Sequence, residues 1–300
     1  MFFGLTEEQE MIVETVRSFV ENEIYPHESL VESEGFVPIE IAQDIKQKCI
    51  NLGFYACNFP ENIGGAGLNH LDFALVEREL GRGSMALTHF FGRPQNILMA
   101  CKGEQIEKYL LPAVRGELMD ALAMTEPDAG SDVRGMKCFA KSQGTDWIVN
   151  GTKHFISGAE HADFVIVFIA TGEEKTKKGP KKKITAFLVD RGTPGFVIRD
   201  GYNSVSHKGY KNMILEFDDC RLPKEQVLGE VEGGFEVMNT WLYATRLTVA
   251  AMSVGRARRC FDYALSYSAE RKQFGQQIGK FQGVSFQLAD MITELDAADF

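Results

Sequence analysis

Ala123-Met124-Thr125-Glu126-Pro127-Asp128-Ala129-Gly130-Ser131-Asp132, AMTEPDAGSD, stands between a helical sequence and a run of strands. Pro127 fixes φ and removes a backbone donor, and Gly130 admits conformations closed to other residues. The decapeptide therefore reads as a shaped turn that can aim amides and hydroxyls at a ligand. Taken alone, it can also be read, less favourably, as an ordinary linking loop.

Upstream the pattern is helical. Thr6-Glu7-Glu8-Gln9 has the form of a capping box, and Ile12, Val13, Val16, Phe19 and Val20 follow at helical spacing. Further helices are predicted over 38–51, 71–81, 84–100 and 104–114. The loop holding Gly64, Gly65 and Gly67 lacks the G-x-G-x-x-G order and a preceding strand, so it reads as a structural turn and not a phosphate loop. Downstream, 146–150, 164–170, 184–189 and 213–217 are short β-rich runs bounded by turn residues. After Gly233-Gly234 the helical period returns over 235–253, 257–269 and from Phe281 onward. The expected architecture is α+β and multidomain: an N-terminal all-α domain (1–120), a central β-barrel or β-sandwich domain (121–232) and a C-terminal helical bundle (233–300). The last pattern reaches Asp299-Phe300 without a C-cap, so the bundle is expected to be incomplete in this chain.

A net charge of -10 disfavours nucleic acid and anionic membrane as partners and points to small ligands. The six cysteines are scattered with no CxxC spacing, which fits reduced thiols in a cytoplasmic protein. The six histidines show no HExxH and no cluster, and no metal is expected. No secretion signal and no long apolar run is found, so no membrane span is expected. Six lysines among residues 175–183, Lys177 and Lys178 included, read first as a solvated hairpin tip.

The order helices, β domain, helices, with AMTEPDAGSD at the first junction, resembles the acyl-CoA dehydrogenase family of flavoenzymes. Arg271-Lys272-Gln273-Phe274-Gly275 with Gln282 is similar to that family's R-x-x-F-G and late Gln, and Lys153-His154-Phe155-Ile156-Ser157 to its K-x-[WF]-I-[TS]. The resemblance implies FAD as cofactor. It implies that Thr125 and the turn from Leu122 through Met124 and Gly130 to Ser131 bond the flavin pyrimidine edge, that Phe155 and Ile156 lie at the isoalloxazine, and that Ser157 reaches toward N5. Arg271, Phe274 and Gln282 would reach the FAD of a neighbouring subunit in a homotetramer, a dimer of dimers. Ser131, Tyr243, Thr245 and Arg246 match positions near the acyl-CoA substrate, and Lys181 lies nearest the CoA 3′-phosphate.

The implied reaction is α,β-dehydrogenation of an acyl-CoA to the 2-enoyl-CoA, a carboxylate taking the α proton and electrons leaving to an electron-transferring flavoprotein. One family position for that carboxylate is Thr245 here, which cannot serve as a base at neutral pH. The other lies beyond Phe300, so no base is assigned. An oxygen-using oxidase or monooxygenase of the same fold, and a non-catalytic flavin- or acyl-binding relative, are the alternatives. The family lines its acyl pocket from the 84–100 segment, where Gly92-Arg93-Pro94 predicts either a polar, kinked pocket floor or a helix start.

Overall fold

The computed structural model describes residues 4–176 and 179–300; Lys177 and Lys178, read from the sequence as part of a solvated hairpin tip, lie outside the described residues. The chain divides into two compact units. One comprises Met1–Pro26, Asn69–Ser84 and Thr245–Phe300, the other His27–Leu68 and Met85–Ala244.

Local sequence explains several helix starts. Gln9 N donates to the Thr6 hydroxyl at 3.2 Å and Thr6 N to the Gln9 side chain at 3.1 Å, the reciprocal box that opens α1 (Glu7–Phe19). A π turn (Val20–Ile24) joins it to α2 (Tyr25–Glu34). Pro38 precedes α3 (Ile39–Asn51), and the Asn69 side chain accepts from Leu71 N and Asp72 N to cap α4 (His70–Leu80). In the loop before α4, a Cβ on Gly65 would collide with the Phe59 carbonyl, so close packing explains a glycine there.

The single helix expected over 84–100 does not form. α5 (Met85–Thr88) passes into a 3-10 turn (His89–Phe91), the chain leaves helix at Gly92 (φ 81°), and a second 3-10 run covers Asn96–Ala100. Pro94 removes a donor and biases Arg93 away from helix, while Gly92 lies so tightly on the Tyr55 ring that no side chain fits. By contrast, 104–114 is helical throughout, as expected, with a π stretch (Ile106–Leu110) running into the short α6 (Leu111–Val114).

Eight strands then form one curled sheet: β1 (Asp120–Ala123), β2 (Phe139–Gln143), β3 (Asp146–Ser157), β4 (Phe164–Thr176), β5 (Gly179–Asp190), β6 (Phe196–Tyr202), β7 (Asn212–Leu222) and β8 (Val227–Leu228). Their order is β6-β7-β3-β2-β4-β5-β8, with β1 parallel to β4 through Leu122↔Ile166. β4 and β5 are buried on both faces along their apolar runs and therefore read as continuous hydrophobic stretches. Val149, Val167, Phe187, Leu215 and Phe217 lie in the core of this unit, where Phe196 stacks on Phe217 at 5.0 Å.

The last helical patterns are α7 (Gly234–Glu270), one continuous helix, and α8 (Gln282–Asp299). Gly255 is tolerated inside α7 because it packs directly on the Arg78 carbonyl of α4. Between α7 and α8, β9 (Lys272–Gln273) and β10 (Gln276–Gln277) form a two-residue hairpin with positive φ at both Phe274 (49°) and Gly275 (78°). Among the described residues, no helix is long and apolar enough to cross a membrane.

Candidate active site

The AMTEPDAGSD turn begins where β1 ends. Glu126 N donates to Ala129 O at 2.9 Å and Ala129 N to Glu126 O at 3.2 Å, closing the turn around Pro127 and Asp128. Glu126 does not face solvent. Its carboxylate meets Lys153 Nζ at 2.6 Å, with side-chain exposures of 3% and 0%, and accepts from Lys137 N at 2.5 Å and Cys138 N at 3.1 Å. Lys153 Nζ also donates to Met124 O at 3.0 Å, and His154 N to Thr125 O at 2.9 Å. The turn is thereby bolted to β3. Gly130 departs from expectation: its φ is not positive, and a Cβ there would meet nothing within 4 Å. The turn's shape comes from Pro127 and the buried Glu126, and Gly130 leaves the outer face open.

β3 carries the second half of the site. Lys153 pairs with Leu215 and Ile156 with Met213, so His154 and Phe155 together oppose one residue of β7. This bulge places Phe155 at φ 57° and leaves its ring half exposed. The ring lies 4.4 Å from Tyr202 and 4.3 Å from His154, and His154 Nδ1 is 3.2 Å from the Tyr202 hydroxyl. Ile156 is buried, and the Ser157 hydroxyl donates to Asn212 Oδ1 at 3.1 Å. An exposed aromatic plate beside the Thr125 turn fits a flat, hydrogen-bonding heterocycle. The hydroxyls of Thr125 and Ser131 have no protein partner among the described residues.

Behind Ser157 lies a polar layer from the broken 84–100 segment. Burial pushes the Tyr210 phenol up, opposed by its hydrogen bond with Ser157. Its ring meets His89 at 5.7 Å, and Gly158 is needed because a Cβ would come within 2.8 Å of the His89 ring. His89 Nε2 is sealed from solvent without a partner, and desolvation, helped by Arg93, lowers the imidazole to about 3. Nearby, Gln95 N donates to Asp120 at 3.2 Å and Trp241 Nε1 to Gln95 Oε1 at 2.5 Å. Desolvation raises the Asp120 carboxyl to about 7.

Tyr243 is exposed on α7 in this same unit. Lys181 is exposed on β5 opposite Glu174, while its neighbours Lys182 and Lys183 pair with Glu173 and Glu232. Thr245, Arg246, Arg271, Phe274 and Gln282 belong to the other unit. There, Arg271 O accepts from Ile278 N at 2.8 Å, and Phe274 is 95% exposed at the tip of the hairpin, its ring 6.1 Å from Phe281. The structure thus gathers Leu122, Met124, Thr125, Gly130, Ser131, Phe155, Ile156 and Ser157 in one unit. Sequence reasoning assigned no role to Glu126 and Lys153, although an acid beside Thr125 in one motif and a base two residues before Phe155 in the other were the available signal.

Three family models match this chain in succession: the acyl-CoA dehydrogenase N-terminal domain over residues 6–117, the middle domain over 121–220 and the C-terminal domain over 232–300. The chain belongs to the acyl-CoA dehydrogenase family and is an oxidoreductase of that family. It is 35% identical to a probable acyl-CoA dehydrogenase of Bacillus subtilis (strain 168), over 99% of this chain and 78% of that protein. It is also 35% identical to the CarC subunit of the caffeyl-CoA reductase-Etf complex of Acetobacterium woodii, with the same coverages. A solved glutaryl-CoA dehydrogenase from Mycobacterium smegmatis in complex with FADH2 superposes with a TM-score of 0.86 at 27% identity, covering 98% of this chain and 74% of that one.

Proposed function

We propose that the chain holds FAD against the Thr125 turn and the Phe155 bulge and interconverts an acyl-CoA and its 2-enoyl-CoA, exchanging electrons with an electron-transferring flavoprotein. The observation that carries this reading is Phe155, an aromatic ring left half exposed on a backbone conformation that costs energy to hold. Bound there, FAD supplies the two-electron chemistry of the α,β bond.

The chain's residues supply placement. The Thr125 hydroxyl and the amides of the turn donate to the pyrimidine edge, where negative charge accumulates on reduction. Phe155 and Ile156 present the apolar surface, and Ser157, anchored by Asn212, points its hydroxyl toward N5. Ser131, Tyr243, Thr245, Arg246 and Lys181 contact the CoA thioester and its nucleotide. Arg271, Phe274 and Gln282 complete the FAD site of a second copy in a homotetramer. Exposure of Phe274 at 95% at the hairpin tip supports that placement, since it leaves the ring open to a neighbouring copy. The three domains follow the segments 1–120, 121–232 and 233–300, and we place the protein in the cytoplasm.

The similarity to a CoA reductase subunit supports a second reading, in which the same site runs toward the saturated thioester. Anaerobic titration of purified protein separates the readings. Acyl-CoA should bleach the flavin band, whereas the reductive reading expects 2-enoyl-CoA to reoxidise reduced flavin and acyl-CoA to have little effect. Rapid turnover with oxygen and none with an electron-transfer dye would assign the oxidase alternative. Protein that cannot be reconstituted with FAD removes the proposal.

A further inference from the structure

We propose that the buried Lys153–Glu126 pair is a positioning element that sets how tightly this chain holds flavin and how readily that flavin is reduced. The inference rests on the FAD reading above. One ammonium and one carboxylate, 2.6 Å apart and almost wholly buried, connect three backbone segments. Lys153 holds Met124 O at 3.0 Å on the turn; Glu126 holds Lys137 N and Cys138 N at the entry to β2; and Lys153 itself lies on β3, two residues before Phe155. The adjacent His154 N to Thr125 O bond leaves a single residue's step between the turn's carbonyl and the exposed ring.

Desolvating two charges makes such a pair a weak source of stability, and well-packed neutral replacements are often neutral or stabilising. What the pair does specify is geometry. The Thr125 donors stand on the turn after β1 and the Phe155 plate on β3, and the pair fixes one relative to the other. Donors held at the pyrimidine edge favour the reduced flavin, so loosening them weakens binding and lowers the reduction potential.

The test compares the parent with the double variant Lys153→Met/Glu126→Gln, which leaves no buried charge behind. Thermal unfolding of the FAD-free proteins, FAD dissociation constants from flavin fluorescence, and midpoint potentials by dye equilibration are measured. The double variant is expected to melt within a few degrees of the parent, to bind FAD at least tenfold more weakly, and to lose about tenfold of its preference for reduced flavin. For a two-electron couple that loss is about 30 mV. Parental affinity and potential in the folded double variant would overturn the proposal. A double variant that does not fold assigns the pair to the fold alone and overturns it too. A parent that takes up no FAD defeats the flavin reading itself, a result distinct from both.

Discussion

Phe155 shows how much a single residue can be asked to hold. A non-glycine residue at φ 57° costs about 1–2 kcal/mol. Phe155→Gly should therefore leave thermal stability within about 1 kcal/mol of the parent while removing the plate. Aromatic contacts are worth about 0.5–1.5 kcal/mol, so FAD affinity, read from flavin fluorescence, should fall roughly 2- to 10-fold. Asp120 makes a second prediction. Its folded carboxyl is raised to about 7 by desolvation, so between its unfolded value and about 7 the native state binds more protons and stability falls as pH rises. His89, lowered to about 3 by desolvation, acts oppositely: below its unfolded value the unfolded state takes the proton and stability falls as pH drops. The two oppose each other between about pH 4 and 6.5. Asp120→Asn should thus steepen the loss of stability on acidification across that window, as urea titrations at several pH values will measure. At this scale the residues that the resemblance assigns to the flavin could be named because they cluster in two short motifs. Glu126–Lys153 was not, because a contact across 27 positions leaves no local period.

Elements were legible where local chemistry and tertiary packing agree. The Thr6 capping box, the Pro38 start of α3 and the apolar runs of β4 and β5 all formed as the sequence predicts. Thr6→Ala should cost about 1 kcal/mol in a chemical-denaturation midpoint, since it removes the hydroxyl that accepts from Gln9 N while keeping the backbone N–H that donates to the Gln9 side chain. The 84–100 helix failed because its apolar spacing is sound but Gly92 and Pro94 break the backbone, and packing on Tyr55 decides the outcome. β1 escaped notice because it is short and pairs with the distant β4, and β2 and β6 because they are largely exposed and offer no clean apolar alternation. The α7 pattern read as two helices because nothing local reveals that Gly255 is a packing contact. The β9–β10 hairpin offers a clean element-level test. Gly275→Ala, at φ 78° and with open space around it, should destabilise that hairpin by about 1 kcal/mol through backbone strain alone. If the hairpin builds a neighbour's FAD site, sedimentation should show weakened assembly with FAD lost alongside it.

Across the molecule, charge is organised differently from what a net value of -10 conveys. In the unit containing α1 and α4, Glu79 is 3% exposed and receives both a two-pronged contact from Arg17 at 3.0 Å and one from Arg78 at 3.2 Å. Arg78 and Arg258 then reach Asp299, and Arg82 reaches Asp262, around a cavity of about 360 Å³. Arg17→Met should cost about 2 kcal/mol by thermal or urea unfolding, because a buried carboxylate loses charged hydrogen bonds while Arg78 retains part of the compensation. The thiols are partitioned as well. Cys49, Cys57, Cys101, Cys138 and Cys220 are buried and all belong to the other unit, whereas Cys260 is exposed. The protein therefore carries its own gauge of partial opening. A thiol-reactive dye should register one fast equivalent from Cys260, then five whose rates report the fluctuations of the sheet-bearing unit alone, since the other contributes no buried thiol. Flavin that grips this sheet should slow those five and leave the first untouched, which turns cofactor occupancy into a rate that can be followed without any substrate.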